Sequence, residues 1–209
     1  MATPETEPPK ENDAVGDPSD SDDSRMIEKW QGVVSAIDAA TREAFPSSPP
    51  FDSSPVAFNS YWHGVFTSLH DSVMSDPKIP TFLTDPSVKK FTVTLFDERD
   101  ALGCPCCLPD VDPNISLQND TGVTKGDFIR GFNAYMYGES SPKIHEADGT
   151  KAAQDVAGAL VYATDWMSVG LDEESGGKGV YDQEEPNIVM YCCRPELFKE
   201  KAETEDRTH

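Results

Sequence analysis

The chain has 209 residues, enough for one domain of about 150 to 180 residues plus tails, and for burying roughly two-thirds of its unfolded surface. Its 38 acidic and 17 basic residues leave a net charge of −21, which argues against binding a nucleic-acid backbone or an anionic membrane and favours a basic protein partner. No window approaches the ~20 apolar residues of a membrane span, and MATPETEPPKENDAVGDPSD lacks the positive flank and apolar run of a signal peptide, so a cytoplasmic protein is expected.

Residues 1 to 23 hold eight acids, one lysine, four prolines and no aromatic residue. Such a composition cannot offset chain entropy by burying apolar surface, which predicts a disordered acidic tail. Ser19 and Ser21 lie in SDSDDS, a context that acid-directed kinases favour. From Ser24, taken as the cap, Met26, Ile27, Trp30, Val33, Val34, Ile37 and Ala40 recur at helical spacing as far as about Ala44. FPSSPPFDSSP breaks that pattern, and Ser54-Pro55 opens a second helix in the favoured cap-then-proline order. Phe58, Tyr61, Trp62, Val65, Phe66, Leu69 and Val73 give it a wide apolar face, and the two helices are expected to be antiparallel neighbours.

VKKFTVTLF, from Val88, is rich in β-branched and aromatic residues and reads as a strand buried on both faces. GCPCCLPDVDPN follows, where Gly103, Pro105, Pro109 and Pro113 exclude regular structure. Thr124 and Asp127 announce a third helix, lined by Phe128, Ile129, Phe132, Tyr135 and Met136 and ended by Gly138. The alanine-rich 151 to 158 suits a helix, while Ala159 to Ala163 is read as a short strand. Asp165 to Glu185 carries seven acids and one lysine and is expected to be a mobile acidic loop. NIVMYCC reads as another buried strand, and Pro195 starts a short terminal helix held by Leu197 and Phe198. The fold class expected is α+β: one domain over residues 24 to 204, with two N-terminal amphipathic helices on a small mixed sheet, a disordered tail before it and a frayed 205 to 209 after it.

Five cysteines fall in two clusters, Cys104, Cys106 and Cys107 in the loop and Cys192 and Cys193 in the last strand. Cys192 and Cys193 lack the C-x-x-C spacing of a zinc knuckle, and as adjacent strand residues they face opposite ways. Packing of small apolar thiols is the first reading and a reactive or redox thiol the second. A metal site of Cys104, Cys106, Cys107 and Cys192 is the third. An odd cysteine count in an intracellular chain argues against a disulfide framework. Asp110, Asp112, Asn114 and Ser116 resemble the start of a calcium loop, but Ile115 stands where glycine is needed and Thr121 where a closing glutamate is needed, so Asx-type turns fit better. Ser175-Gly-Gly-Lys178-Gly lacks the upstream glycine and the hydroxyl residue of a phosphate loop.

His63 and His70 stand seven apart on the second helix, and Asp97, Glu98 and Asp100 leave the end of the central strand together. A histidine beside an apolar stripe is more often an edge residue than a base, and carboxylates at strand ends more often solubilise. No nucleotide, hydrolase, kinase or zinc signature and no internal repeat stands out, so neither a cofactor nor an oligomeric state is indicated. The leading reading is a non-catalytic, acidic protein-interaction module. The competing reading is a cofactor-independent enzyme with a pocket between the second helix and the sheet, using His63, Asp97 or Asp100 as acid or base. A thiol or zinc site is the third.

Overall fold

In the computed structural model the described residues are 27–45, 54–97, 111–146, 153–156, 158–165 and 186–198. The expected tail, the cysteines of 104–107, Asp100 and most of the acidic 165–185 stretch lie outside them. In chain order the elements are β1 (Ile27–Glu28), α1 (Gln31–Ala44), α2 (Pro55–Ser75), β2 (Thr84–Asp85), β3 (Lys90–Phe96), β4 (Ile115–Gln118), α3 (Lys125–Tyr137), β5 (Lys143–Ile144), β6 (Gln154–Asp155), β7 (Leu160–Asp165) and β8 (Asn187–Cys193). A single helical turn follows over 195–198. The fold is α+β, as the hydrophobic periods predict.

The central sheet has the order β4-β3-β8-β7 and is mixed: β3 runs antiparallel to β4 and parallel to β8, and β8 runs antiparallel to β7. Register places Phe91, Val93, Leu95, Ile188, Met190 and Cys192 on one face, all buried. Phe91 meets Trp30 edge-on at 5.4 Å and Phe128 at 6.0 Å, so α3 and the entry to α1 cover this side. The other face, with Thr92, Thr94, Phe96, Val189, Tyr191 and Cys193, is buried as well. Its threonines are satisfied there: Asn187 Nδ2 donates to Thr94 Oγ1 at 3.0 Å, and Thr92 Oγ1 donates to the Pro186 carbonyl at 3.3 Å.

Helix α2 begins where its sequence says, with Ser54 Oγ accepting from Ala57 N at 3.1 Å and Pro55 at the first position. It packs on α1 and α3: Phe66 stacks on Phe132 at 5.3 Å, and Tyr61 donates its hydroxyl to the Ala44 carbonyl at the end of α1. Helix α3 carries the full reciprocal cap between Thr124 and Asp127. It approaches β4 so closely that a Cβ at Gly131 would lie 2.4 Å from Leu117 Cδ2. The turn into α3 passes through Gly122 at φ +109°, a conformation that favours glycine.

Two local expectations are overturned. The first helix starts at Gln31, not at Ser24, because the backbone of 27–29 is spent on the chain at 83–85: Ile27 and Glu28 pair with Asp85 and Thr84, and Lys29 N donates to Leu83 O at 2.8 Å. Ile27 consequently sits 57 % exposed instead of on a helix's apolar face, and Lys29 Nζ closes the pairing on Asp85 Oδ2 at 2.6 Å. Likewise Gln154 and Asp155 are not helical. They pair with Ile144 and Lys143, Val156 N donates to Pro142 O at 2.9 Å, and Gly158 turns the chain at φ +80° into β7.

Candidate functional site

His63 is exposed on α2, one position after Trp62, which is fully buried. Successive helical side chains are turned by about 100°, so the packing that buries the indole carries the imidazole outward. Only the His63 carbonyl is engaged among the described residues, by Thr67 Oγ1 at 2.8 Å and Asn133 Nδ2 at 3.3 Å. His70 is held differently, with Nδ1 3.3 Å from Asp71 Oδ1 and Nε2 3.0 Å from Arg130 Nη1, as part of the polar seam between α2 and α3.

Asp97 follows β3 and donates its N–H to the His145 carbonyl at 3.0 Å. The parallel register that pairs Phe96 with Tyr191 sets Asp97 beside Cys192, and the Asp97 carboxylate is one of the groups acting on that thiol. Burial pushes the Cys192 thiol far above its ordinary value of 9.0, with Cys193 and Asp97 adding to the effect, as for a thiol packed in the core. Helix α2, which carries His63, packs chiefly on α3 and α1. Asp100, Cys104, Cys106 and Cys107 lie outside the described residues.

The calcium-like run is used for construction. Asn114 Oδ1 accepts from Leu95 N at 2.6 Å while its Nδ2 donates to the Lys143 carbonyl at 2.8 Å, tying β3, β4 and β5 at one corner. Ser116 is exposed on β4 opposite Thr92. The Asx turn expected here forms further on, where Asn119 Oδ1 accepts from Thr121 N at 3.1 Å.

At the same corner stands His145, which is not among the candidate residues read from the sequence. His145 is 8 % exposed, its N–H donates to the Leu95 carbonyl at 2.9 Å, and its ring lies 5.7 Å from that of Phe96. Nε2 is 2.9 Å from the Asp112 carbonyl, which can only accept, so Nε2 carries a hydrogen. Nδ1 is buried and has no hydrogen-bond partner among the described residues. The only local cue is the apolar Ile144 before it, in an otherwise polar run.

Comparison with known protein families, characterised proteins and solved structures finds no match. Among the described residues no three His, Cys, Asp or Glu side chains are grouped to hold a metal ion, and no helix is long and apolar enough to cross a membrane.

Proposed function

We propose that the protein is a non-catalytic interaction module of the cytoplasm that presents negative charge to a basic protein partner. The distribution of charge carries this reading. The described residues hold fifteen acidic and nine basic side chains, a net of −6, so −15 of the total −21 belongs to the sequence around them. The densest runs are residues 1–26 and 166–185, the latter with Asp172, Glu173, Glu174, Asp182, Glu184 and Glu185.

Several acids of the folded part already have partners: Asp38 holds Arg42 at 3.1 Å, Asp85 holds Lys29, and Asp127 holds Arg130 at 2.6 Å. A body that carries the smaller share of the negative charge, attached to runs of one sign, suits a partner selected by charge. The enzyme reading has less support, since its base, His63, is exposed on α2 and no closed polar pocket is described around it.

The test is binding of a fluorescent lysine-rich peptide to the full chain across a salt series. Exposed charges are screened beyond about 10 Å at 0.1 M salt, so affinity should fall steeply as salt rises. Neutralising Asp172, Glu173, Glu174, Glu184 and Glu185 together should remove most of that dependence with the fold intact. Unchanged binding by this variant would sink the reading, as would a small-molecule turnover that His63→Gln abolishes.

A further inference from the structure

We propose that the end of the molecule where α3 begins is a docking surface for a basic segment that also carries apolar side chains. The proposal rests on the charge-driven reading above and adds a place and a second requirement on the partner. Three of the five large hydrophobic side chains exposed among the described residues lie at this end: Ile27 at 57 %, Met74 at 45 % and Phe82 at 37 %. Long-range pairing brings them there. Phe82 stands opposite Thr124, Leu83 N donates to Val123 O at 3.2 Å, and on the other side Ile27 and Glu28 stand opposite Asp85 and Thr84. Helix α2 ends at the same place, because Lys125 Nζ holds the Asp76 and Ile79 carbonyls.

Two of these side chains bracket the entry to α3. A Cβ on Gly122 would lie 3.1 Å from Phe82 Cδ1, and one on Gly126 would lie 2.8 Å from Met74 Sδ. Each side chain therefore rests against bare backbone while part of it stays open to solvent. Side chains already seated in this way lose little freedom when a partner covers them, which lowers the cost of docking. Exposed apolar side chains gathered at one place mark interaction surfaces, whereas single ones are ordinary.

The charge of the chain is anchored at the same end, and this selects the occupant. Residues 1–26, with eight acids against two bases, join the chain at Ile27. Residues 166–185, with six acids against Lys178, follow Asp165, which pairs with Val189, and lead back to Pro186, whose carbonyl accepts from Thr92 N at 2.9 Å near the start of β3. The body itself is balanced here: residues 28–29, 71–90 and 118–130 hold six acidic and six basic side chains, so its net negative charge lies elsewhere. A purely cationic segment gains nothing from Met74 and Phe82, and a purely apolar one gains nothing from the acidic runs. A segment with both is held by two linked contacts, each raising the effective concentration for the other. A second copy of this chain fits poorly, because it brings a further −21 to the same place.

The test compares two fluorescent peptides of equal length and lysine content on the full chain, one with leucine between the lysines and one with serine. The leucine peptide should bind about tenfold more tightly or better, and this excess should persist at about 0.5 M salt, where exposed charges are screened. Met74→Ser combined with Phe82→Ser should remove the excess and leave the serine peptide's affinity unchanged. Both side chains are exposed, so the double variant should fold, which circular dichroism checks. Val56→Ser, at the far end of α2 and 78 % exposed, should change neither affinity. Equal affinity for the two peptides overturns the docking surface while the charge-driven reading stands. An excess that survives in the double variant overturns it as well, and binding of neither peptide sinks both. Self-association of the wild-type chain that the double variant abolishes, read by sedimentation, would seat a second copy there and also overturn the proposal.

Discussion

The Lys125 ammonium, in the first turn of α3, donates to the main-chain carbonyl of Asp76 at the end of α2, at 2.9 Å, and to that of Ile79 at 3.0 Å. Lys125 is 4 % exposed and has no carboxylate partner among the described residues. A cation at a helix N-terminus is poorly placed for its own helix dipole, but this one reaches the negative C-terminal end of another helix. Lys125→Met keeps the apolar stem and removes the donors, leaving two inward carbonyls short of partners. The expected loss is about 1–3 kcal/mol in urea unfolding, and an unchanged midpoint would show that water replaces the ammonium.

Asp127 links the reciprocal cap to the α2–α3 seam. Burial works to raise its carboxyl, but hydrogen bonds from Thr124 and Asn119 and the Arg130 guanidinium outweigh it and hold the group below its ordinary 3.8. Because the folded state favours the carboxylate, its stabilisation is fully present above the unfolded value, near pH 4, and is lost as pH falls through the lower folded value. Asp127→Asn should therefore cost stability at pH 7 and flatten this part of the acid limb below pH 4, read from urea midpoints. Thr124→Ala, which removes the acceptor for Asp127 N, should cost about 1 kcal/mol.

Contact between α3 and β4 depends on Gly131. An alanine there meets Leu117 Cδ2 at 2.4 Å, so Gly131→Ala should destabilise by about 1–3 kcal/mol through overpacking. Leu117→Ala should lose stability on its own account, through a cavity. The double variant should lose less than the two single losses added together, because each change relieves the other. Simple additivity in the double-mutant cycle would show that the close approach is not what governs the loss.

Cys192 and Tyr137 predict an alkaline limb. Burial raises both, and the Cys192 thiol adds to the effect on Tyr137, so the folded state favours the protonated forms. For groups raised on folding, stability is fully present below the unfolded values, 9.0 for the thiol and 10.0 for the phenol, and is lost as pH climbs above them. Unfolding midpoints should thus fall from about pH 9 upward, and Cys192→Ala should shallow the first part of that fall. In native protein at pH 8 this thiol should also resist a disulfide reagent until denaturant is added.

Much of the fold is legible locally. Ser54-Pro55 and the Thr124/Asp127 box start two helices within a turn of their own sequence, and the β-branched and aromatic runs at 90–96 and 187–193 are strands in the structure, with both faces buried as their composition implies. The candidate site was far less legible. His63 attracts notice because it lies on a strong amphipathic pattern, and that same pattern turns it to solvent; His145 lies in a polar run with no period at all, yet is buried by the corner it builds.

What the sequence determined alone is whatever is settled by neighbours one turn or one pleat away: caps, breaks, apolar faces and the charge of each segment. Only the tertiary structure decided where distant backbone groups would spend their hydrogen bonds. The strand at Ile27–Glu28 exists because Thr84–Asp85 is there to pair with it, Gln154–Asp155 is extended because Lys143–Ile144 takes it, and β3 lies parallel to β8 although residues 97–186 separate them. Local propensity differs by only about 1 kcal/mol per residue between competing backbone states. A long-range ladder that satisfies several buried peptide groups at once outweighs it, and that pairing has no periodicity from which to be read.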